Sequence, residues 1–165
     1  MREFNISTGG TTLANGSVTL IYMRAAAAPS VNLEVLRWWV GQSANATSAQ
    51  QRVHITQRGT AFPTLVAATP VTLKMQDVNA SVLVGSTNGA AGTSGVNASA
   101  EGATATYPFF ILEDAFNVLN GWLMVPTPPE TIINPAGHGT GIAMRFPVAA
   151  ATLASWSFGC QFREI

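Results

Sequence analysis

Two histidines, one cysteine and one adjacent pair of acidic residues are the groups from which this chain could build a reactive site. His54 lies on the polar side of an alternating segment, which favours a solvated or ladder-facing role. His138 lies in a glycine-rich loop, and neither histidine has a second imidazole at the spacing that metal ligands require. The histidines therefore predict no metal site.

The remaining reactive groups are also poorly placed for catalysis. Glu113 and Asp114 are neighbours, so on a strand they face opposite sides and cannot act together on one bond. Ser94 lacks the strand-turn-helix context of a nucleophile elbow. Cys160 alternates with aromatic residues on a predicted core face, where a thiol is inert packing. We predict that the protein is not an enzyme and uses no cofactor.

The glycine-rich loop at residues 134–141 gives only a faint nucleotide-binding pattern. A phosphate loop needs a strand before it and a helix after it, so that the helix N-terminus meets the phosphate. Here a proline-rich segment precedes the loop and a strand follows it. A nucleotide site is therefore not expected.

The charge content is low for a soluble domain. Charged residues make up 10% of the chain, and the eight basic side chains balance eight acidic ones; an ordinary domain has about 25% charged residues. A neutral surface has no long-range attraction for nucleic acid or anionic lipid, and it does little to keep monomers apart. We expect a protein that assembles with other subunits, with no nucleic acid or membrane among its partners.

Neither a membrane span nor a secretion signal is predicted. The apolar stretches are far shorter than the roughly 18 residues that cross a bilayer. The first residues lack the apolar core of a signal peptide, so secretion by that route is not expected.

Short strands with period-two alternation run through most of the sequence. The clearest is the last, in which Trp156, Phe158, Cys160 and Phe162 point one way. Other predicted strands contain the alternating sets Ile142/Met144/Phe146, Val18/Leu20/Tyr22 after an Asn15-Gly16 turn, and Val53/Ile55, and others cover residues 71–75, 81–85, 107–112 and 119–125. The pattern predicts one domain, residues 1–165, with an all-β fold, either a β-sandwich or a barrel.

Two segments depart from the alternation. Residues 31–41 carry large apolar groups on both predicted faces, which indicates a strand buried on both sides or covered outside by another subunit. A helix over residues 30–40 is the competing prediction, although the β-branched and aromatic residues favour a strand. Residues 86–106 are almost wholly Gly, Ala, Ser, Thr and Asn, which predicts a long mobile loop.

Exposed aromatic and proline side chains are the strongest functional signal. Trp38 and Trp39 are adjacent, so at most one can point into the sandwich, and the other either lies under a loop or anchors an interface. Pro126, Pro128 and Pro129 form a stiff segment that cannot join a strand ladder. That segment is either a rigid crossing between sheets or a preorganised contact arm.

The order of these features resembles that of the small head decoration, or cement, proteins of tailed phages. The resemblance spans nearly the whole chain and rests on these pieces: an N-terminal strand at residues 2–7; an apolar strand ending in Val40-Gly41-Gln42-Ser43; a polar loop at residues 44–50; a strand at residues 51–59 with Arg52 and Arg58; a Gly/Ala/Thr-rich middle; Asp114-Ala115-Phe116-Asn117-Val118; Gly121-Trp122; a Pro-Pro-Glu turn at residues 128–130; and a final alternating strand ending near Glu164.

The resemblance implies a capsid-stabilising protein without catalytic residues, folded as an all-β antiparallel β-sandwich of the jelly-roll type. Its partners would be the major capsid protein and further copies of itself, as a homodimer or homotrimer, on the outer capsid surface of a virion made in a bacterial cytoplasm. The interface candidates are Phe4, Ile6, Trp38, Trp39, Trp122, Pro126, Pro128 and Pro129. Two alternatives stay open: a carbohydrate-binding module with Trp38, Trp39 and Trp122 as stacking platforms, and a tail or baseplate module. A cupin-like or hydrolase-like enzyme is disfavoured because the chain has only two histidines.

Overall fold

A computed structural model of the chain describes residues 1–14, 18–43, 47–59, 62–74, 78–101 and 109–165. These residues form strands and no helix; the strands are β1 Arg2–Thr11, β2 Val18–Arg24, β3 Leu33–Gln42, β4 Gln50–Arg58, β5 Thr64–Ala67, β6 Val71–Thr72, β7 Val84–Gly85, β8 Thr93–Ala100, β9 Phe109–Asn117, β10 Trp122–Met124, β11 Ile132–Asn134, β12 Gly141–Phe146 and β13 Trp156–Glu164. Within these described ranges, no helix is long and apolar enough to span a membrane.

The strands form two sheets that pack face to face. Sheet I has the order β10-β3-β13-β1-β6, with β11 also paired to β3. Sheet II has the order β5-β8-β2-β12-β4-β9, with β7 also paired to β8. The pairing of β7 with β8 is parallel, and the other pairings are antiparallel. The predicted all-β sandwich is confirmed, and its assignment to the jelly-roll type stays a prediction.

The alternation predicted for the last strand is confirmed. Trp156, Phe158, Cys160 and Phe162 are completely buried, and the residues between them, apart from Gly159, are only partly buried. β13 lies between β3 and β1 in sheet I. A strand with a partner on both sides and one face against the core is the rigid centre of its sheet.

A bulge explains why alternation failed in residues 31–41. Arg37 lies opposite Gln161 but Val35 lies opposite Phe162, so Leu36 is an extra residue in β3. The extra residue changes which alternate positions face the core: Leu33 and Val35 do so before it, and Trp38 and Val40 after it. The helix considered for residues 30–40 is therefore wrong, and the strand has fewer apolar residues on its outer face than predicted.

The prediction of a long loop at residues 86–106 is wrong for residues 93–100. They form β8, which pairs with β2 and β5 and is buried over most of its length. The small side chains are needed because other parts of the chain approach closely; a Cβ at Gly95 would lie 2.8 Å from the Leu65 Cβ. Glycine in a strand often marks such close contact rather than a loop. Residues 102–106 lie outside the described residues.

The core is one cluster in which aromatic rings from both sheets meet. The ring of Phe146 on β12 packs edge-on against Trp156 on β13, with 4.8 Å between the ring centroids. Phe116 on β9 also contacts both rings. Such pairs add about 0.5–1.5 kcal/mol each to the burial of their area.

Several shorter predictions are confirmed in part. The alternating set Ile142, Met144 and Phe146 faces the core from β12. The strands predicted at residues 71–75, 81–85 and 119–125 are shorter than expected, and β9 is longer than the segment predicted at 107–112. The predicted Asn15-Gly16 turn lies outside the described residues, as do residues 44–46 of the polar loop.

The outer face of sheet II is covered by the protein's own chain. The Tyr22 hydroxyl donates a hydrogen bond to the Gly89 carbonyl (3.1 Å), and the Phe62 ring packs against the Tyr22 ring. Burial raises the pKa of Tyr22 to about 12, although Arg24 and Arg58 act in the opposite direction. The covering contacts come from Phe62, from the segment around Gly89 and from Glu101, and they bury the part of this face around Tyr22 and Arg58. The part formed by β4 and β9 is more open, since Phe110 is 58% exposed and Arg52 is half-exposed.

An ion pair lies beneath this cover. The Arg58 side chain is fully buried and pairs with the carboxylate of Glu101, which also accepts a hydrogen bond from the Thr19 hydroxyl (2.8 Å). Arg58 donates to the same hydroxyl (3.0 Å). The charges are therefore paired and hydrogen-bonded, as buried charges must be.

Candidate docking site

The predicted interface residues divide between the core and the surface. Phe4, Ile6 and Trp38 are buried in the chain's own core. Trp39, Trp122 and Pro126 are partly buried, and Pro128 and Pro129 are exposed. A contact through the three core residues would require the sandwich to open. The prediction of one inward and one outward tryptophan at positions 38 and 39 is confirmed.

Trp39 lies on the outer face of sheet I, seated on a glycine of the neighbouring strand. It is directly opposite Gly159 of β13, and a Cβ at that position would overlap the Trp39 ring. The absence of a side chain lets the indole lie close to the sheet. The guanidinium carbon of Arg37, two residues earlier on the same strand, lies 5.4 Å from the centroid of the Trp39 ring.

An open groove runs beside the Trp39 ring. It encloses ≈ 450 Å³, and its lining comes from β3, the turn before β10, β10 itself and β13: Trp39, Val40, Gly41, Asn120, Gly121, Trp122, Leu123 and Ser157. Gly121 has φ of 69°, a left-handed conformation that favours glycine. Glycines and small side chains along the groove leave it shallow and accessible.

Trp122 has a different role from Trp39. It pairs with Val40 at the margin of sheet I, and its indole N–H donates to the carboxylate of Asp114 at 2.9 Å. Asp114 belongs to β9, the outermost strand of sheet II on that side. The hydrogen bond therefore links the two sheets, and the polar edge of the Trp122 ring is already occupied.

The proline-containing segment does not cross between the sheets. It joins β10 to β11, and both strands pair with β3 in sheet I. Between them the chain forms an arch, in which the Thr127 hydroxyl donates to the Glu130 carboxylate at 2.8 Å. The crossing considered from the sequence is therefore wrong, and the contact arm stays a prediction.

Most charges on the outer face of sheet I are paired within the chain. Glu34 and Arg163 form a two-pronged ion pair, in which the Arg163 Nη2 lies 2.7 Å from Glu34 Oε1. The hydrogen bonds from Arg163 lower the pKa of Glu34. Glu3 lies 3.9 Å from the Lys74 ammonium.

The residues considered for chemistry do not come together. The Ser94 hydroxyl donates to the Ala68 carbonyl (2.7 Å), and the exposed His138 lies 2.7 Å from the Thr140 hydroxyl. Cys160 is fully buried, and that burial raises the pKa of its thiol well above the usual range. Among the described residues, no group of three or more His, Cys, Asp or Glu side chains could hold a metal ion.

The expected solvated position of His54 is wrong, because its side chain is only 5% exposed. Its expected ladder-facing position is confirmed, because it lies opposite Glu113 on β9 and Arg145 on β12. The ring packs edge-on against Phe110, with 4.9 Å between the ring centroids, and lies 3.4 Å from a Glu113 carboxylate oxygen. Desolvation lowers the pKa of His54, and the charges of Arg52 and Arg145 lower it further. This burial could not be predicted from the sequence, because the covering residue, Phe110, lies on another strand.

Two residues of this face were not predicted from the sequence. Leu123 and Arg37 were not candidates, although each borders Trp39 in the structure. The glycines at positions 41 and 159 were a usable signal, because each is a gap in an otherwise well-filled strand. Comparison with protein-family models, curated proteins and solved structures gave no significant match.

Proposed function

We propose that this chain is a structural virion protein that decorates the outer surface of a tailed-phage head and stabilises the shell. It binds the major capsid protein through the outer face of sheet I. The observation that carries the proposal is the asymmetry of the sandwich: the centre of one outer face, around Tyr22, is covered by the chain itself, whereas the other presents Trp39 beside an open groove.

The apolar residues around Trp39 give this face the composition of a docking surface. Leu123 lies directly opposite Trp39 on β10 and is 61% exposed, and Ile133 projects from β11 with 44% exposure. Tryptophan is enriched among the residues that dominate binding energy, especially where neighbours exclude water. Because the backbone of these residues is already ordered in a paired sheet, binding has only their side chains left to order.

The mechanism is a shift of equilibrium towards the assembled shell. A protein that binds only the expanded shell stabilises that state by its differential affinity. Many identical contacts then add up to resistance against internal pressure. No covalent step is required.

The test compares phage heads depleted of this protein with heads to which it has been added back. We expect wild-type protein to raise survival after heating or osmotic shock. Leu123→Asp places a charge in the docking face and should abolish this protection. The matched control is Val84→Asp on the margin of sheet II, where Val84 is similarly exposed at 59%.

Equal survival of heads with and without the wild-type protein would overturn the proposal. Binding to isolated tails instead of heads would assign the chain to the tail or baseplate.

A glycan-binding function is the second candidate, and the position of Trp39 favours it. The groove beside its ring offers the polar side chains Asn120 and Ser157, a combination suited to a sugar ring. The platform is reduced to one tryptophan, however, since Trp38 is in the core and Trp122 is bonded to Asp114. A glycan array with no binding would remove this candidate.

Self-association is part of the proposal. The low charge and the exposed apolar residues favour a homodimer or homotrimer. Light scattering at micromolar concentration would measure it, and a monomer would remove this part.

A further inference from the structure

Arg37 is an exposed cation held in place by an aromatic ring. Its guanidinium lies over the Trp39 ring, and it forms no ion pair with any residue that the structure describes. Its neighbour across the ladder on β13 is Gln161, which carries no charge. An exposed arginine usually leaves its donors to water, but stacking fixes the plane in which these donors point.

Arg37 differs from the other basic side chains on this outer face in its lack of an acidic partner within the described part of the chain. On the same outer face, Arg163 is paired with Glu34, and Lys74 lies near Glu3. The two pairs cancel in charge. Arg37 therefore differs from these two cations in having no acidic partner among the described residues; the Glu130 carboxylate, in the arch beside β3, accepts a hydrogen bond from the Thr127 hydroxyl instead.

We infer that the docking partner presents a carboxylate next to an apolar side chain, and that Arg37 binds this carboxylate while the apolar group enters the groove beside Trp39. The inference rests on the proposed function and adds the chemistry of the partner. A guanidinium has a planar set of donors that matches the two oxygens of a carboxylate. A preoriented guanidinium loses less side-chain freedom when it binds.

The division of labour between the two parts of the site follows from their physics. The apolar groove supplies burial, which depends weakly on salt. The carboxylate contact supplies orientation and partner selection, which weaken as ionic strength rises because exposed charges are screened. Binding should therefore be strongest at low salt.

The experiment measures the affinity of wild-type protein and of Arg37→Gln and Arg37→Lys for depleted phage heads, at several salt concentrations. We expect Arg37→Gln to bind at least about tenfold more weakly at low salt and to lose much of the salt dependence. Arg37→Lys keeps the charge without the planar fork, so it should retain part of the affinity and most of the salt dependence.

The matched control is Arg52→Gln. It removes the same charge from the outer face of sheet II, where Arg52 is half-exposed and paired with Glu113. We expect its affinity for heads to equal that of the wild type. Circular dichroism of each variant checks that the sandwich is intact.

The outcomes separate this inference from the proposed function. If wild-type protein binds heads and Arg37→Gln binds equally well, the inference is overturned and the proposed function stands. If Arg52→Gln loses as much affinity as Arg37→Gln, only the overall charge matters and the inference is also overturned. If wild-type protein does not bind heads at all, the proposed function fails and the inference falls with it.

Discussion

The two outer faces of the sandwich differ in how far their arginine–aromatic pairs are covered by the rest of the chain. Each has an arginine stacked on an aromatic ring: Arg24 lies over Phe62 at 5.0 Å, and Arg37 lies over Trp39 at 5.4 Å. On sheet II this pair is part of a cover under which Tyr22 is completely buried. On sheet I the pair is the surface itself.

The difference shows that aromatic content alone does not define a binding face. An aromatic ring is available for binding only where no other segment of the same chain packs over it. The segment around Gly89 and the side chain of Glu101 lie over sheet II and form hydrogen bonds with Tyr22 and Thr19. Over Trp39 the described chain leaves an open groove instead.

The largest expected effect comes from breaking the ion pair under the cover of sheet II. Glu101→Gln leaves the Arg58 guanidinium buried without a counter-charge, so we expect a loss of about 3 to 4 kcal/mol in the free energy of unfolding. Urea denaturation measures it. The matched control is Glu113→Gln, which removes a carboxylate from the half-exposed pair with Arg52 and should cost no more than about 1 kcal/mol.

Equal losses in these two variants would mean that the cover does not shield Arg58. The distinction between a covered and an open face would then lose its energetic basis.

A second comparison adds one methyl group under an aromatic ring on each face. A Cβ at Gly141 would overlap the Tyr22 ring, and one at Gly159 would overlap the Trp39 ring. Tyr22 is enclosed, so Gly141→Ala should cost about 2 to 3 kcal/mol in the free energy of unfolding. Trp39 can swing outward, so Gly159→Ala should cost under about 1 kcal/mol.

The second glycine variant should also affect binding. Because Gly159→Ala displaces Trp39 from its seat, we expect weaker attachment to phage heads with little change in thermal melting. A large loss of stability in Gly159→Ala would show that Trp39 is as firmly enclosed as Tyr22.

The smallest expected effect is a dependence of stability on pH from His54. Desolvation and the charges of Arg52 and Arg145 lower its pKa in the folded protein below the ordinary value of 6.5. As the pH falls below that value, the unfolded chain takes up a proton more readily than the folded one. Stability is therefore complete above 6.5 and decreases as the pH falls towards the folded pKa.

Urea midpoints at several pH values between 5 and 7.5, a range of about one unit or more on either side of the ordinary histidine pKa, would detect this decrease. His54→Gln should remove it. A urea midpoint that does not change with pH in the wild type would contradict the prediction. It would mean that the Glu113 carboxylate, 3.4 Å from the ring, stabilises the protonated imidazole enough to offset its desolvation.

The sequence predicted those strands whose side chains alternate in size. β13 is the best case, because Trp156, Phe158 and Phe162 mark one face without ambiguity. β8 was not predicted because its residues are small on both faces. A strand with close neighbours on both faces needs small residues, and its composition is then the same as that of a loop. The bulge at Leu36 was missed since it depends on the pairing with β13.

The candidate site was predicted only in part. The adjacent tryptophans required one ring to face outward, and this is what the structure has. Which ring would be free, and which neighbours would border it, depends on the partner strands β10 and β13. Arg37 gave no signal in the sequence, because an isolated arginine resembles any solvated charge until its surroundings are known.

The interrupted margin of sheet I has a consequence for the behaviour of the protein at high concentration. β10 and β11 are 3 residues each, and the proline-containing arch separates them along β3. A strand from a neighbouring molecule finds no continuous row of amide donors there, because prolines have none and the arch between the two short strands is not paired with β3. Copies at high local concentration can therefore pack next to one another without forming intermolecular cross-β structure along this margin.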